Sequence, residues 1–265
     1  MNKKFLVIGN DARQKEIARV LDATLCENIE DFEKNRRTEF DYVVLPTPIS
    51  KVSLLEIDEE EIKRLLFHSR KVFAGGITEN WESWFQKSAI AYFDLLKDEK
   101  LVEENAYITA EATVAEILKI APFSIRGQKI IVAGYGHCGR NVANLFRKIG
   151  ANVTVLARSK GARQKARADG HDATEFSYGP EECYGAGIVV NTVPEKVITE
   201  PMLRAMGTGT KIVDLASMPG GVDKDSASRY GITVLHALGL PARYSVGTGG
   251  KAFASAIQRC LAKER

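Results

Sequence analysis

The stretch KIIVAGYGHCGRNVANLFRKIGANVTVLAR (Lys129–Arg158) decides how the rest of the chain is read. It opens on a short apolar run, passes through GxGxxG at Gly134, Gly136 and Gly139, continues with helical spacing, and closes on a second apolar run. The glycine pattern alone is weak. With a strand before it, a helix after it and a second strand on schedule, it is a dinucleotide-binding fingerprint. Gly134 permits the tight turn, Gly136 lets backbone approach a pyrophosphate, and Gly139 lets helix and strand pack closely. His137 and Cys138 lie between the glycines, where the start of the helix offers N–H groups and a positive dipole end to an anion.

About twenty residues on, such a unit commonly carries an acid that binds the ribose 2′-OH. Here the second apolar run leads into VLARSKGARQKAR (Val155–Arg167), with cations in place of the acid. An acid would repel a 2′-phosphate, whereas arginine binds it through charge-assisted hydrogen bonds. Arg158, Ser159 and Arg163, with Lys160 beside them, therefore predict NADP as the cofactor. The competing reading is a solvated basic helix start. Two later strand ends belong at the same edge of a sheet and are expected to supply further cofactor-binding residues: VVNTVP, with Asn191, Thr192 and Pro194, and DLASMPGG, with Asp214 and Ala216.

Working outward, further strands are predicted at Phe5–Gly9, Asp41–Pro46, Lys71–Gly76 and Ala89–Leu96, and later at Gly187–Val193, Thr210–Ala216 and Ile232–Ala237. Helical patterns alternate with them, a rhythm that gives parallel sheets covered on both faces. The fold class expected is α/β, with two Rossmann-like, doubly wound parallel-sheet domains and an intervening cleft. Residues 1–122 form an N-terminal substrate and catalytic domain, joined by a C-terminal helix over 246–265. Residues 123–245 form the NADP-binding Rossmann domain.

Composition narrows the functional class. Of 265 residues, 45% are apolar and 27% charged, enough for a real core, and the net charge of +3 is too balanced to argue for nucleic-acid binding. No apolar run approaches the length of a membrane span or a signal-peptide core. Cys26, Cys138, Cys183 and Cys260 are scattered and the histidines lack metal-ligand spacing, so reduced thiols, no metal and a cytoplasmic location are expected.

The motifs GNDARQ (Gly9–Gln14), GYGHCGR, GANVTVLARS, VVNTVP, DLASMPGGVD and GLPARYSVGTGG together resemble the family of the dipicolinate synthase dehydrogenase (A-type) subunit over nearly the whole chain. That resemblance implies an NADP-dependent dehydrogenase that oxidises a dihydrodipicolinate-level cyclic intermediate to dipicolinate, in a sporulation-linked pathway. It also implies a fold like that of D-2-hydroxyacid dehydrogenases and a flavoprotein-like B subunit as partner. A homo-oligomer is expected as well. With the family in view, Asp11 and Arg13 become substrate-binding residues and Glu111, with Thr113 beside it, a candidate proton acceptor. Gln14, Thr113, Ser217 and Thr248 are also expected at the substrate, and His236, at the end of a strand, is the other candidate acid–base residue. On their own terms the same residues have plainer readings: Asp11 as a helix cap, Arg13 as a surface ion pair, Glu111 as a helix-start acid and His236 as a packed core histidine. The chain departs from the family at Ile108 and Ala112, where proline and glycine are expected, and over Ala242–Gly250, where a proline and a lysine are lost. These departures keep open another NADP-dependent oxidoreductase acting on a keto, imino or hydroxy acid; a non-catalytic NADP-binding scaffold stays open because the sequence names no obvious acid–base residue beyond Glu111 and His236.

Overall fold

The computed structural model describes residues 3–264, and among them two parallel sheets carry the fold. The chain divides into two compact units, one holding residues up to Asn105 together with Pro241 onward, the other Ala106–Leu240. The expected boundary at 122/123 differs from this division by most of one helix, because residues 106–120 continue a helix that begins at Glu99.

In the first unit the strands are β1 (Phe5–Ile8), β2 (Thr24–Cys26), β3 (Tyr42–Val44), β4 (Lys71–Ala74) and β5 (Tyr92–Asp94), in the order β2-β1-β3-β4-β5. Helices α1 (Ala12–Leu21), α2 (Ile29–Asn35), α3 (Glu59–Leu66) and α4 (Glu79–Lys87) connect them, and α5 (Glu99–Ile120) leads out. β1 is buried along its whole length, with alternate residues serving two cores. Leu6 and Ile8 pack with Phe32, Val43, Trp81 and Phe85. Phe5 and Val7 pack on the other face with Ile17, Phe73, Phe253 and Ile257. An all-parallel strand buried on both faces needs such a continuous apolar run.

The second unit contains β6 (Lys129–Ala133), β7 (Asn152–Leu156), β8 (Asp172–Thr174), β9 (Ile188–Asn191), β10 (Lys211–Asp214) and β11 (Thr233–His236), in the order β11-β10-β9-β6-β7-β8. Its helices are α6 (His137–Lys148), α7 (Lys160–Ala168), α8 (Gly179–Cys183), α9 (Glu200–Ala205) and α10 (Lys224–Arg229). Val142, Ala143 and Phe146 form the buried stripe of α6.

The last helix, α11 (Val246–Ala262), packs in the first unit against α1. The crossing is close because Gly250 has no side chain: a Cβ there would collide with Glu16 and reach 3.3 Å from the Arg13 carbonyl oxygen. Arg259 of α11 grips Asp98 through Nε at 3.0 Å and Nη2 at 2.5 Å, while Asp98 also caps α5 by accepting the Leu101 N–H. The hydrogen bond from Arg259 outweighs partial burial and holds the Asp98 carboxyl below its ordinary value. A depressed carboxylate contributes stability above its ordinary pKa and loses it as pH falls through the folded value. Asp98→Asn keeps a capping side chain but removes the charge. We expect it to cost about 1 kcal/mol at neutral pH, with the gap from the native protein narrowing below about pH 4. Urea unfolding across that range measures both.

Candidate functional site

The order β2-β1-β3 places a topological switch point at the carboxyl ends of β1 and β3, where open α/β sheets bind ligands. Asp11 caps α1 there by accepting the Gln14 N–H at 2.9 Å. Two residues on, Arg13 is 5% exposed and crosses the switch point, donating through Nη2 to the Thr47 carbonyl oxygen at 2.6 Å. Its guanidinium carbon stands 4.6 Å above the Phe253 ring. Arg13 Nε is buried without a hydrogen-bond partner. A buried guanidinium with an unspent donor is costly unless something accepts from it. Burial draws the Arg13 pKa down, offset in part by Asp11.

Lys51, which sequence reasoning did not single out, donates to the second Asp11 oxygen at 3.1 Å, with Arg13 Nη2 at 3.7 Å from the same oxygen. Burial alone would raise the Asp11 carboxyl, but Arg13, the Gln14 N–H and Lys51 together hold it below the usual range. Two cations and one carboxylate leave the cluster one net positive charge. Gln14 is buried, donates to the Ile8 carbonyl at 3.3 Å and packs over Gly9, with its Oε1 left unpartnered. Of the other residues expected to meet substrate in this unit, Thr248 lies exposed in the first turn of α11.

At the carboxyl edge of the second sheet, β6 ends in the glycine turn. Gly134 adopts φ +94° and Gly136 caps α6 without a side-chain hydrogen bond. A Cβ at Gly136 would meet nothing within 4 Å, so the backbone there faces open space, as close approach of a pyrophosphate requires. His137 is exposed and Cys138 half-buried at the helix start. Tyr135 turns away from this edge, its hydroxyl donating to Asp169 at 2.8 Å. Thr192 donates to the Ala133 carbonyl at 2.8 Å and covers the turn, and a Cβ at Gly134 would collide with it. A Cβ at Gly139 would collide with the Gly134 carbonyl oxygen.

Arg158 follows β7 and is exposed, bound by both Glu195 oxygens, with Nη1–Oε1 at 3.1 Å and Nη2–Oε2 at 2.5 Å. Ser159 caps α7 by accepting the Ala162 N–H at 3.1 Å. Arg163 is employed differently from the phosphate ligand expected of it. It donates to the carbonyl oxygens of Ala157 (2.8 Å) and Arg158 (2.6 Å) and to Glu175 (2.6 Å), and so braces the turn that presents Arg158. Pro194 is exposed beside Glu195.

Asn191 and Asp214 are fully buried. Asn191 donates to Asp214 at 2.7 Å and to the Val193 carbonyl at 2.9 Å. Asp214 also accepts the N–H groups of Ala216 (3.1 Å) and Gly221 (2.9 Å). These two residues shape the loops after β9 and β10 instead of facing a ligand. His236, expected as an acid–base residue, points Nε2 at the Ala216 carbonyl, 2.8 Å away, and packs against Gly220. Ser217 is exposed on the same loop.

The remaining expectations fall on α5. Glu111 is exposed in mid-helix, not at a helix start, and the buried Thr113 hydroxyl donates to the Thr109 carbonyl one turn back at 2.7 Å. A hydroxyl so placed serves its own helix. Among the described residues no group of histidine, cysteine and acid could hold a metal ion. No helix there is long and apolar enough to cross a membrane. Burial pushes the Cys26 and Cys183 thiols up to about 12, which disfavours the thiolate at neutral pH.

Two parallel α/β units, one with a glycine-turn dinucleotide edge, define the architecture of an NAD(P)-type oxidoreductase. Comparison with known proteins agrees. The model of the acetohydroxy acid isomeroreductase NADPH-binding domain matches residues 124–206. The A-type subunit of dipicolinate synthase from Bacillus subtilis is 27% identical over 98% of this chain and 96% of its own. The crystal structure of the corresponding dipicolinate synthase subunit from Bacillus halodurans superposes with a TM-score of 0.85 at 27% identity, covering 99% of this chain and 98% of that one. The fold is shared more distantly with D-mandelate dehydrogenase of Rhodotorula graminis, at a TM-score of 0.58 and 13% identity over 98% of this chain and 94% of that one. The resemblance to the A-type subunit of dipicolinate synthase therefore holds over the full length, in sequence and in fold.

Gly139→Ala tests how tightly the turn is built. The collision is with backbone, which cannot swing aside. We expect a loss of about 1–3 kcal/mol, read by thermal unfolding, together with weaker nicotinamide-dinucleotide binding.

Proposed function

We propose that this chain is an NADP-dependent dehydrogenase that oxidises a dihydrodipicolinate-level cyclic intermediate to pyridine-2,6-dicarboxylate. The observation that carries the reading is the buried Arg13 at the β1/β3 switch point, its Nε unspent and its Nη2 near the Asp11 carboxylate that Lys51 also binds. A carboxylate is the anion such a fork accepts bidentately, and the net charge of the cluster suits one carboxylate. The full-length likeness to proteins named as the A-type subunit of dipicolinate synthase supports the choice of substrate.

The edge of the second sheet fits a nicotinamide dinucleotide. The N-terminus of α6 and Gly136 would hold the pyrophosphate, and Arg158, Ser159 and Lys160 at the start of α7 would hold the 2′-phosphate. The absence of an acid after β7 and the match to an NADPH-binding domain both favour NADP. Bound there, the cofactor supplies the hydride acceptor. The chain's own residues bind and orient: Arg13 and Lys51 fix the carboxylate, Thr47 fixes Arg13, and Asp214 holds the loops of the dinucleotide edge. The ring loses a proton as it becomes aromatic, and the carboxylate of Glu111, exposed on α5, is the base proposed to take it. A cytoplasmic, sporulation-linked role, a homo-oligomer and a flavoprotein-like B subunit belong to the same proposal.

The departures at Ala242–Gly250 favour a second reading, an NADP-dependent oxidoreductase of another keto, imino or hydroxy acid. One experiment separates the two. The protein is mixed with NADP+ or NAD+ and the freshly made product of the dihydrodipicolinate-forming aldol enzyme, with and without a B subunit. Growth of NADPH absorbance together with the pyridine dicarboxylate spectrum supports the first reading. Cofactor binding without turnover moves the assignment to another substrate or to a scaffold. In the same assay Arg13→Lys keeps the charge but loses the fork, so KM should rise about tenfold with cofactor affinity unchanged. An unchanged KM would remove Arg13 from the substrate.

A further inference from the structure

Three facts about the dinucleotide edge converge on a residue that the function proposed above does not use. β7 and β9 are the two neighbours of β6, one on each side. Arg158 lies just beyond β7, and Glu195 lies on the loop just beyond β9. Their ion pair therefore spans the carboxyl end of β6, the strand that ends in the glycine turn, a reach of about 10 Å across two strand spacings.

Both ends of the span are built on fixed backbone. Arg163 bonds the Ala157 and Arg158 carbonyl oxygens from below. On the other side, Val197 and Ile198 donate to the Gly221 carbonyl, each at 3.0 Å, and Gly221 donates to buried Asp214. Gly221 packs so tightly under Glu195 that a Cβ there would stand 2.7 Å from the Glu195 carbonyl oxygen. The side chains themselves are 58% and 63% exposed. Glu195 uses both oxygens on two guanidinium nitrogens, the same fork that a phosphate monoester takes.

We infer that Glu195 is a specificity-determining residue for the cofactor, competing with the 2′-phosphate for the Arg158 fork. The inference rests on the NADP reading above. NADP(H) binding exchanges a carboxylate for a phosphate on one guanidinium. NAD(H) brings no anion to that position and leaves the pair intact. The phosphate wins because it carries up to two charges against one. Glu195 tempers the win, so the native protein discriminates less strongly between the two cofactors than Arg158 alone would make it.

The test is equilibrium binding of NADPH and NADH, followed by cofactor fluorescence, to the full chain and to Glu195→Gln, Arg158→Gln and the double variant. Exposed ion pairs are worth at most about a fivefold factor. Glu195→Gln is therefore expected to bind NADPH about three- to fivefold more tightly and NADH unchanged. Arg158→Gln should weaken NADPH about tenfold or more and NADH little. In the double variant the gain from removing Glu195 should largely disappear, because the competition needs the arginine. Selective loss in Arg158→Gln with no gain in Glu195→Gln would overturn the role of Glu195 and leave the NADP reading standing. Equal effects of Arg158→Gln on both cofactors would overturn the NADP reading, and the inference with it. Unfolding midpoints of the exposed-site variants are expected to match the native chain, which keeps a folding defect apart from a binding one.

Discussion

The buried Asp214 carboxylate is the point on which the dinucleotide edge hangs. A buried charge is tolerated only when its oxygens are met by donors, and here Asn191, the Ala216 N–H and the Gly221 N–H meet them. Through Asn191 it fixes the loop after β9, and through Gly221 the loop after β10. His236 closes the same loop from β11 by bonding the Ala216 carbonyl. Residues that looked like ligands of a cofactor thus serve to hold the loops of this edge.

The first unit solves a related problem differently. Its buried charge is a cation, and Arg13 is held by a carbonyl oxygen, an aromatic face and a nearby carboxylate, with one donor unspent. The close crossing of α1 and α11 makes this possible. Gly250 removes the side chain that would keep the helices apart, and Phe253 then reaches the guanidinium. A C-terminal helix distant in sequence thereby becomes part of the wall behind a residue of the first helix.

Much of the fold was legible before the structure. Strands such as Ile130–Ala133 and Val189–Val190 are buried on both faces and must read as apolar runs, and the glycine turn sits where the period changes from strand to helix. β2 and β8 were not legible. Each is a three-residue strand at a sheet edge with exposed positions, so TLC and DAT carry no periodic signal. The continuous helix α5 was read partly as a functional stretch because Glu111 and Thr113 fall on it, yet its backbone bonds are those of an uninterrupted helix, and Thr113 spends its hydroxyl within it.

By itself the sequence determined the two α/β units, the dinucleotide turn with its glycines, the lack of an acid after β7 and the place of Arg13 at a strand mouth. These depend on local spacing and residue type, which a chain carries wherever it folds. Only the tertiary structure decided which polar groups are spent and which remain to act. Lys51 reaches Asp11 across 40 positions, Glu195 reaches Arg158 across 37, and Arg163 turns back on its own loop. Strand order and helix crossing set those distances, and a charged side chain takes its role from the partner that the packed backbone places within about 3 Å of it.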